Sequence, residues 1–599
     1  MNFMKTHQRL SPRFLLEDTG GEGYWFDTPS SYWEAHNKDE ISQALLRIEN
    51  VCRQGEYVLA LLPYDLGLAL QDLPGQKSSD PVYLRAWSFP HLQTWSAKDI
   101  ETFLKEETGD TPPSGLINLE PRIDFHTYCQ AIDQVHQAIR KGETYQLNYT
   151  FPFSGLLYGS PLSVYQQLRA RQPGPYSAYI ELESGWVLSH SPESFIEHRS
   201  GQLTCRPMKG TSDRMGTHPL SQDPKNRSEN VMIVDLIRND LSRISYANSV
   251  EVSNLFSVYS YGEVSQMIST IAARLYPGHS LESILRAMFP CGSVTGAPKR
   301  RTMQWINQLE SFPRGLYCGS IGWFKPCTPE AVPDFHLSVA IRTLEVNSES
   351  QVTMGIGSGI TIESDAAQEW KECQLKASFA THLPSSVGLF ETMRSEQNQI
   401  TLWKVHCQRL ERSARALGIP FSPIHAQDLI RKYLAALDTS TVFRVRLDLS
   451  SNGQITLTSE PLIPMESSVD LVWASELGCG PVSSKNALLG HKVNDRVQYE
   501  QASVAAQQHG AFDALFVNEH GKVTEGSRSN IFVRHGDRWK TPPLKDGVLP
   551  GIYRGLILSD PTITIDEVSL VPDDIHDADE IWVTNALRGK MLVRGFRTS

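Results

Sequence analysis

The chain has 599 residues, 40% hydrophobic and 21% charged, with a formal net charge of −11. That length exceeds one core and corresponds to about three to four folding units, or fewer large ones. The acidic balance argues against nucleic acid as the main partner, no apolar run reaches the length of a bilayer span, and nine scattered cysteines without a C-x-x-C pair argue against structural zinc and for reduced thiols in a cytoplasmic setting.

Residues 1–16 are polar and lack the apolar segment of a signal peptide, so none is read. The region up to 119 mixes strand-like runs, such as 57–62, with loop signals at 74–79 and 111–115. Tyr128, Ile132, Val135 and Ile139 predict an amphipathic helix over 125–140, ended by Gly142. Residues 178–188 read as strands, 229–241 and 266–275 as helices, and 339–346 as a strand. This mixed order favours a large α+β body over a doubly wound sheet. A helix over 365–380 closes that body. The junction His382-Leu383-Pro384-Ser385-Ser386 follows, and a fresh strand pattern opens at Val387, which places a domain boundary near 385.

The first half carries a plausible nucleophile and acid. Lys209 stands in Pro207-Met208-Lys209-Gly210-Thr211, downstream of Glu193 in Ser191-Pro192-Glu193. A lysine attacks only as the free amine, and a carboxyl donates only while protonated, so both need shifted pKa values. Glu369 and Glu372 share one helix face, and Glu229 begins another helix; carboxylates gathered from two helices can hold Mg²⁺. Gly355-Ile356-Gly357-Ser358-Gly359-Ile360 reads as a glycine-dense turn that lets backbone N–H groups approach an anion. Arg342 reads as a strand arginine suited to a carboxylate. Gly292 to Lys299 reads as a loop entering a helix, without the spacing of a P-loop.

In order, these segments resemble the chorismate-utilising enzymes. The matching pieces include Ser191-Pro192-Glu193, the Lys209 motif, Asp235 to Arg243, Phe289 to Lys299, Cys318 to Gly322, Ile341-Arg342-Thr343, the glycine segment and the Glu369/Glu372 helix. Lysine in the Pro-x-x-Gly-Thr motif is similar to the aminodeoxychorismate synthase component I branch; anthranilate synthases carry alanine there. The resemblance implies Glu193 as general acid and Lys209 as nucleophile. It implies Mg²⁺ on Glu229, Glu369 and Glu372, and chorismate on Thr295, Arg342 and Gly357-Ser358-Gly359. One departure stands out: Gln266 occupies a position where many members carry histidine, and glutamine cannot shuttle protons near neutral pH.

The second half carries Lys492, Glu525 in Val523-Thr524-Glu525-Gly526, the turn Gly547-Val548-Leu549-Pro550-Gly551, and Val583-Thr584-Asn585. A lysine, a carboxylate and a phosphate-binding turn are what pyridoxal phosphate needs. Together they resemble the fold-type IV pyridoxal-phosphate enzymes, which include branched-chain aminotransferases and aminodeoxychorismate lyases. The resemblance implies Lys492 as the lysine joined to the cofactor, Glu525 at its ring nitrogen, and Val548, Leu549, Thr584 and Arg446 (or Arg444) at its phosphate. Thr392, in Phe390-Glu391-Thr392, could relay a proton. The family's usual first strand is absent between the junction and Val387.

The expected layout is therefore 1–119 and 120–381 as the two parts of a chorismate-binding α+β domain, with 387–599 as a pyridoxal-phosphate α+β domain. The expected function is amination of chorismate followed by pyruvate elimination to 4-aminobenzoate, a folate precursor. The alternatives are an amino acid transaminase in the second half, or one half that is non-catalytic. No Gly-x-Cys-x-Gly elbow or His-x-Glu occurs, so ammonia is expected from a separate glutamine amidotransferase subunit. The expected cofactors are Mg²⁺ and pyridoxal 5'-phosphate. A homodimer through the second domain is compatible with the resemblance; nucleic acid and membrane partners are not expected.

Overall fold

The computed structural model describes residues 13–75, 81–109, 111–213, 222–261 and 264–597. Positions 1–12 of the polar N-terminal stretch, and the 74–79 loop beyond position 75, lie outside those residues. Among the described residues, no helix is long and apolar enough to cross a membrane. The chain divides into two compact units. One holds Leu119–Gly155 and Ser160–Leu383 with the chain up to Thr111; the other holds Pro112–Asn118, Leu156–Gly159 and Pro384–Ser599.

The first unit is built on two ten-stranded sheets. In one, Gln146–Tyr158, Gln351–Ile360, Thr343–Asn347 and Gly185–Ser191 are successive neighbours. In the other, Met208–Asp213, Val264–Arg274, Gln202–Arg206, Ser194–Arg199 and Phe335–Val339 are. Phe14, Ile180 and Val187 from the first sheet pack on Leu59, Phe89 and Ile321 from the second in one apolar cluster. The helix Phe125–Arg140 starts where Asp124 accepts a hydrogen bond from the Thr127 N–H at 2.8 Å. It buries Tyr128, Ile132 and Val135 and stops before Gly142, at φ +72°.

Three local expectations are corrected. Residues 266–275 lie in the strand Val264–Arg274, not a helix. Met267, Ile268 and Ile271 are all buried, and the strand has neighbours on both sides. Burial alternates along the strand from Ser269 to Arg274, but a polar Ser269 on the buried face and Ile268 and Ala272 on the other leave no period-two hydropathy pattern to separate strand from helix. The glycine segment 355–360 is not a turn; it lies inside the strand Gln351–Ile360. Its glycines answer close approach. A Cβ on Gly355 would lie 2.1 Å from the Tyr317 ring, and one on Gly357 2.5 Å from the Tyr149 carbonyl. Arg342 sits between the strands Phe335–Val339 and Thr343–Asn347, at φ +54°, rather than within one.

The second unit has a three-stranded antiparallel sheet (Leu389–Ser395, Phe443–Leu449, Ile455–Pro461) and an eight-stranded mixed sheet running from Val523–Gly526 to Ile565–Glu567. Its largest apolar cluster joins Val387, Leu389, Met393 and Leu447 with Ile117 and Tyr158. Ser386 Oγ donates to the Ser114 carbonyl at 2.9 Å and lies 3.1 Å from the Tyr158 hydroxyl. Two short segments distant in sequence thus complete this unit ahead of Val387.

Gly355→Ala is expected to destabilise the fold by about 1–3 kcal/mol, because the added methyl overpacks a buried ring. The readout is a lower urea midpoint. Gly555→Ala, whose Cβ would meet open space, is the control and is not expected to lower it.

Candidate active sites

In the first unit, Glu193 occupies the link between Gly185–Ser191 and Ser194–Arg199. Its side chain is 2% exposed. Ser293 Oγ donates to Glu193 Oε1 at 2.6 Å. Burial pushes the carboxyl up to about 7, against the Ser293 hydrogen bond and the charge of Lys209, which favour ionisation. Such a group carries a proton near neutrality, as a general acid must.

Lys209 lies half-buried on Met208–Asp213. Its Nζ is 3.3 Å from the point where a Cβ on Gly359 would stand, and Gln146 Nε2 is 2.4 Å from the same point. Two long side chains from different strands therefore converge on the bare backbone of Gly359. Thr295 is buried beside them. The strand Gly296–Ala297 pairs with Leu147 and Gln146, and the Asn148 N–H donates to the Thr295 carbonyl at 2.8 Å. Ser293 thus lies within one tight turn, Gly292–Val294, and Thr295 directly follows it, which ties the acid to the Gln146 strand.

Ser358 lies buried with its hydroxyl 3.1 Å from that of Tyr128, and the Gly357 carbonyl accepts from Lys376 Nζ at 3.0 Å. Arg342 turns its guanidinium to the Lys376 carbonyl and to Gln172 Oε1, over the Phe379 ring. Burial lowers its pKa to about 10.

The three glutamates are not gathered into a cage. Glu369 is buried and accepts from Ser364 Oγ at 2.9 Å, Glu372 pairs with Lys376 at 2.7 Å, and Glu229 is half-buried on the helix Pro224–Ser242. Among the described residues, no group of three or more His, Cys, Asp or Glu is placed to hold a metal ion. The donor chemistry still suits Mg²⁺, a hard cation that binds through one or two carboxylates plus water and substrate oxygens.

Sequence reasoning missed Gln146, Ser293 and Lys376. Ser293 lies inside the matched segment Phe289 to Lys299, but no role was read for it there, and Gln146 and Lys376 sit in no pattern that marks chemistry. Gln146 Oε1 and Gln266 Oε1 are buried with no hydrogen-bond partner among the described residues.

In the second unit, a cavity of about 1270 Å³ is lined by Thr392, Arg446, Lys492, Glu525, Leu549 and Thr584, among others. Lys492 Nζ lies 4.4 Å from the centre of the Phe390 ring, and Arg446 stacks on the same ring at 4.1 Å. Burial holds the Lys492 amine well below the usual lysine range, helped by Arg496 and Arg409 and opposed by Glu391 and Glu525. Glu525 is 3% exposed and is pushed up to about 7 by burial. Its Oε2 accepts from the Leu549 N–H at 3.1 Å and from Asn530 Nδ2 at 3.0 Å. Val548 is buried next to Leu549. Arg446 is paired with Asp448, at 2.7 Å.

Arg409 also lines this cavity and was missed in the sequence. It donates to both oxygens of Glu391, at 2.8 and 2.6 Å, and to the Pro550 carbonyl at 3.3 Å. Burial alone would raise the Glu391 pKa, but Arg409 and His406 bring it to about 2. The signal was only an arginine on the helix Trp403–Ala416, where such residues are common.

These residues fit pyridoxal phosphate. A deprotonation-prone lysine, a carboxylate and guanidinium groups share one cavity, and the Thr584 hydroxyl lies buried with no partner in this structure.

Residues 35–382 match the family model for chorismate binding enzymes, and residues 388–596 match that for amino-transferase class IV. The chain is 33% identical over 340 residues to aminodeoxychorismate synthase component 1 of Klebsiella aerogenes, covering 52% of this chain and 74% of that protein. It is 38% identical over 306 residues to aminodeoxychorismate synthase of Streptomyces pristinaespiralis, covering 48% of this chain but 41% of that protein. In fold it is similar to anthranilate synthase component I from Streptococcus pneumoniae TIGR4, with a TM-score of 0.50 and 22% identity, covering 63% of this chain and 93% of that one. The first family match spans more than half of the sequence, so the chain belongs to the chorismate binding enzyme family, with a class IV aminotransferase domain following it.

Proposed function

We propose that this chain converts chorismate to 4-aminobenzoate in two reactions, one in each unit. The observation that carries the first is the convergence of Lys209 on Gly359 within the field of the buried, proton-bearing Glu193. Similarity to aminodeoxychorismate synthases supports the same reading.

In the first reaction, the Lys209 amine adds to C2 of chorismate while Glu193 gives its proton to the departing C4 hydroxyl, which leaves as water. Ammonia then adds at C4 and the C2–N bond to Lys209 breaks, which restores the lysine. Thr295, Arg342 and the Gly357-Ser358-Gly359 backbone would hold the substrate. Of Glu229, Glu369 and Glu372, one or two would hold Mg²⁺ together with water, and the ion would supply positive charge against the substrate carboxylates. The nitrogen would come from free ammonia or a separate glutamine amidotransferase subunit.

In the second reaction, pyridoxal phosphate would supply an electron sink. Lys492 would hold the cofactor, and its free amine would take the C4 proton of the substrate. Glu525 would hold the proton on the ring nitrogen. Val548, Leu549, Thr584 and Arg446 would meet the phosphate, together with Arg409 at Pro550. Thr392 would carry a proton to the departing enolpyruvyl group, which leaves as pyruvate. The class IV aminotransferase match also favours a second reading, an amino acid transaminase. Spectral half-reactions with amino donors separate the two.

Purified chain given chorismate, Mg²⁺, ammonium and pyridoxal phosphate is expected to form 4-aminobenzoate. Lys209→Ala is expected to lower aminodeoxychorismate formation at least about a hundredfold, leaving amination at C2 as the residual product; an unchanged product rate would remove the lysine from the chemistry. The rate of the first reaction is expected to fall as pH rises through about 7, where Glu193 loses its proton. Glu193→Gln is expected to flatten that limb and lower the rate by about 10²–10⁴-fold. Borohydride treatment of the cofactor-loaded protein is expected to fix the cofactor to the wild-type chain but not to Lys492→Ala.

A further inference from the structure

The second cavity holds more positive charge than the assigned groups use. Four of its arginines face carboxylates: Arg409 meets Glu391, Arg444 meets Glu460, Arg446 meets Asp448, and Arg594 meets Asp470 and Glu466. Arg496, Arg528 and Arg588 are held in another way. Arg496 donates to the Ser527 carbonyl at 3.1 Å, and its charge acts on Lys492 and Glu525, which leaves Arg528 and Arg588. Arg528 donates to the Phe512 carbonyl and lies over the Phe512 ring, 4.5 Å from its centre. Arg588 Nη1 donates to the Ile463 carbonyl at 2.9 Å. A backbone carbonyl orients a guanidinium but leaves its net charge in place.

The two arginines belong to one braced structure. Asp513 accepts from the hydroxyls of Ser527 and Ser529 and from the Arg528 N–H at 3.2 Å, which pins the turn that bears Arg528. Gly526 makes room for that carboxylate; a Cβ there would stand 2.2 Å from Asp513 Oδ2. Asn585 links the two segments. Its Nδ2 donates to the Arg528 carbonyl at 3.4 Å, and its Oδ1 accepts from the Arg588 N–H at 2.9 Å. Arg588 is held below the usual arginine range by burial and then by repulsion from Arg528 and Arg394. The fold therefore keeps two like charges together on the wall of a cavity, an arrangement that an anion between them relieves.

We infer that Arg528 and Arg588 are specificity-determining residues that bind a carboxylate remote from the reacting amine. The ligand class is a ring-sized amine with a distant carboxylate, in contrast to an amino acid, whose carboxylate is on the carbon bearing the amine. This deepens, and rests on, the lyase reading of the second unit. Guanidinium pairs suit the task because each offers a planar fork of donors to a carboxylate.

The test is calorimetric titration of the full-length, cofactor-loaded protein with 4-aminobenzoate and with aniline, which lacks the carboxylate. Wild type is expected to bind 4-aminobenzoate roughly tenfold to a hundredfold more tightly, the range for a charge-assisted hydrogen bond. Arg528→Gln and Arg588→Gln are each expected to lose most of that preference, and the corresponding Lys variants to retain part of it. Retained visible cofactor absorbance identifies folded variants. If Arg528→Gln does not fold, Arg588→Gln carries the test. Equal binding of the two probes by wild type, or an undiminished preference in the folded Gln variants, overturns the inference. A wild type that prefers 4-aminobenzoate yet releases no pyruvate from aminodeoxychorismate overturns the lyase reading and leaves the arginine pair standing.

Discussion

Desolvation of ionisable groups is the constraint on which both sites depend. A carboxyl removed from water prefers its neutral form, and an amine removed from water prefers its free base. Glu193 is pushed up to about 7 by burial, even though Ser293 and Lys209 favour its anion. Lys492 is driven far down by burial and by two neighbouring arginines. Each group is thereby shifted toward the protonation state its proposed step requires, with no special chemistry in the side chain itself.

Close packing of strands sets the geometry within the first unit. The glycines of the strand Gln351–Ile360 are present because neighbouring atoms already occupy the space of a side chain. At Gly355 that neighbour is the Tyr317 ring, at Gly357 the Tyr149 backbone, and at Gly359 the amide of Gln146 and the amine of Lys209. The bare backbone of Gly359 leaves room for the Gln146 amide, which a methyl group would meet at 2.4 Å, with the Lys209 amine beside it.

Charge is arranged with equal economy in the second unit. Glu391 is held ionised by Arg409 and His406, and Arg446 is neutralised by Asp448. Glu525 is raised instead, and Arg496, Arg528 and Arg588 are held on the cavity wall by backbone carbonyls. Matched pairs fix positions, while unmatched groups remain to answer a ligand.

The amino-acid sequence by itself determined the order of the motifs, the helix Phe125–Arg140 from local periodicity and capping, and the strand Tyr57–Leu62 from a short apolar run bounded by Gly55 and Pro63. It also singled out Glu193, Lys209, Lys492 and Glu525, whose residue types in that order carry recognisable chemistry. It misread residues 266–275 as a helix, since a polar Ser269 on the buried face and Ile268 and Ala272 on the other erase the hydropathy alternation of a strand. It misread the 355–360 segment as a turn, because glycine permits both a turn and a close approach and only the neighbours distinguish them. Gln146, Arg409, Arg528 and Arg588 had no role legible in the sequence, and Ser293 stood in the matched segment Phe289 to Lys299 with no role read for it. Their roles arise from contacts between distant segments, such as Ser293 to Glu193 and Asn585 to Arg528, which only the tertiary structure decided.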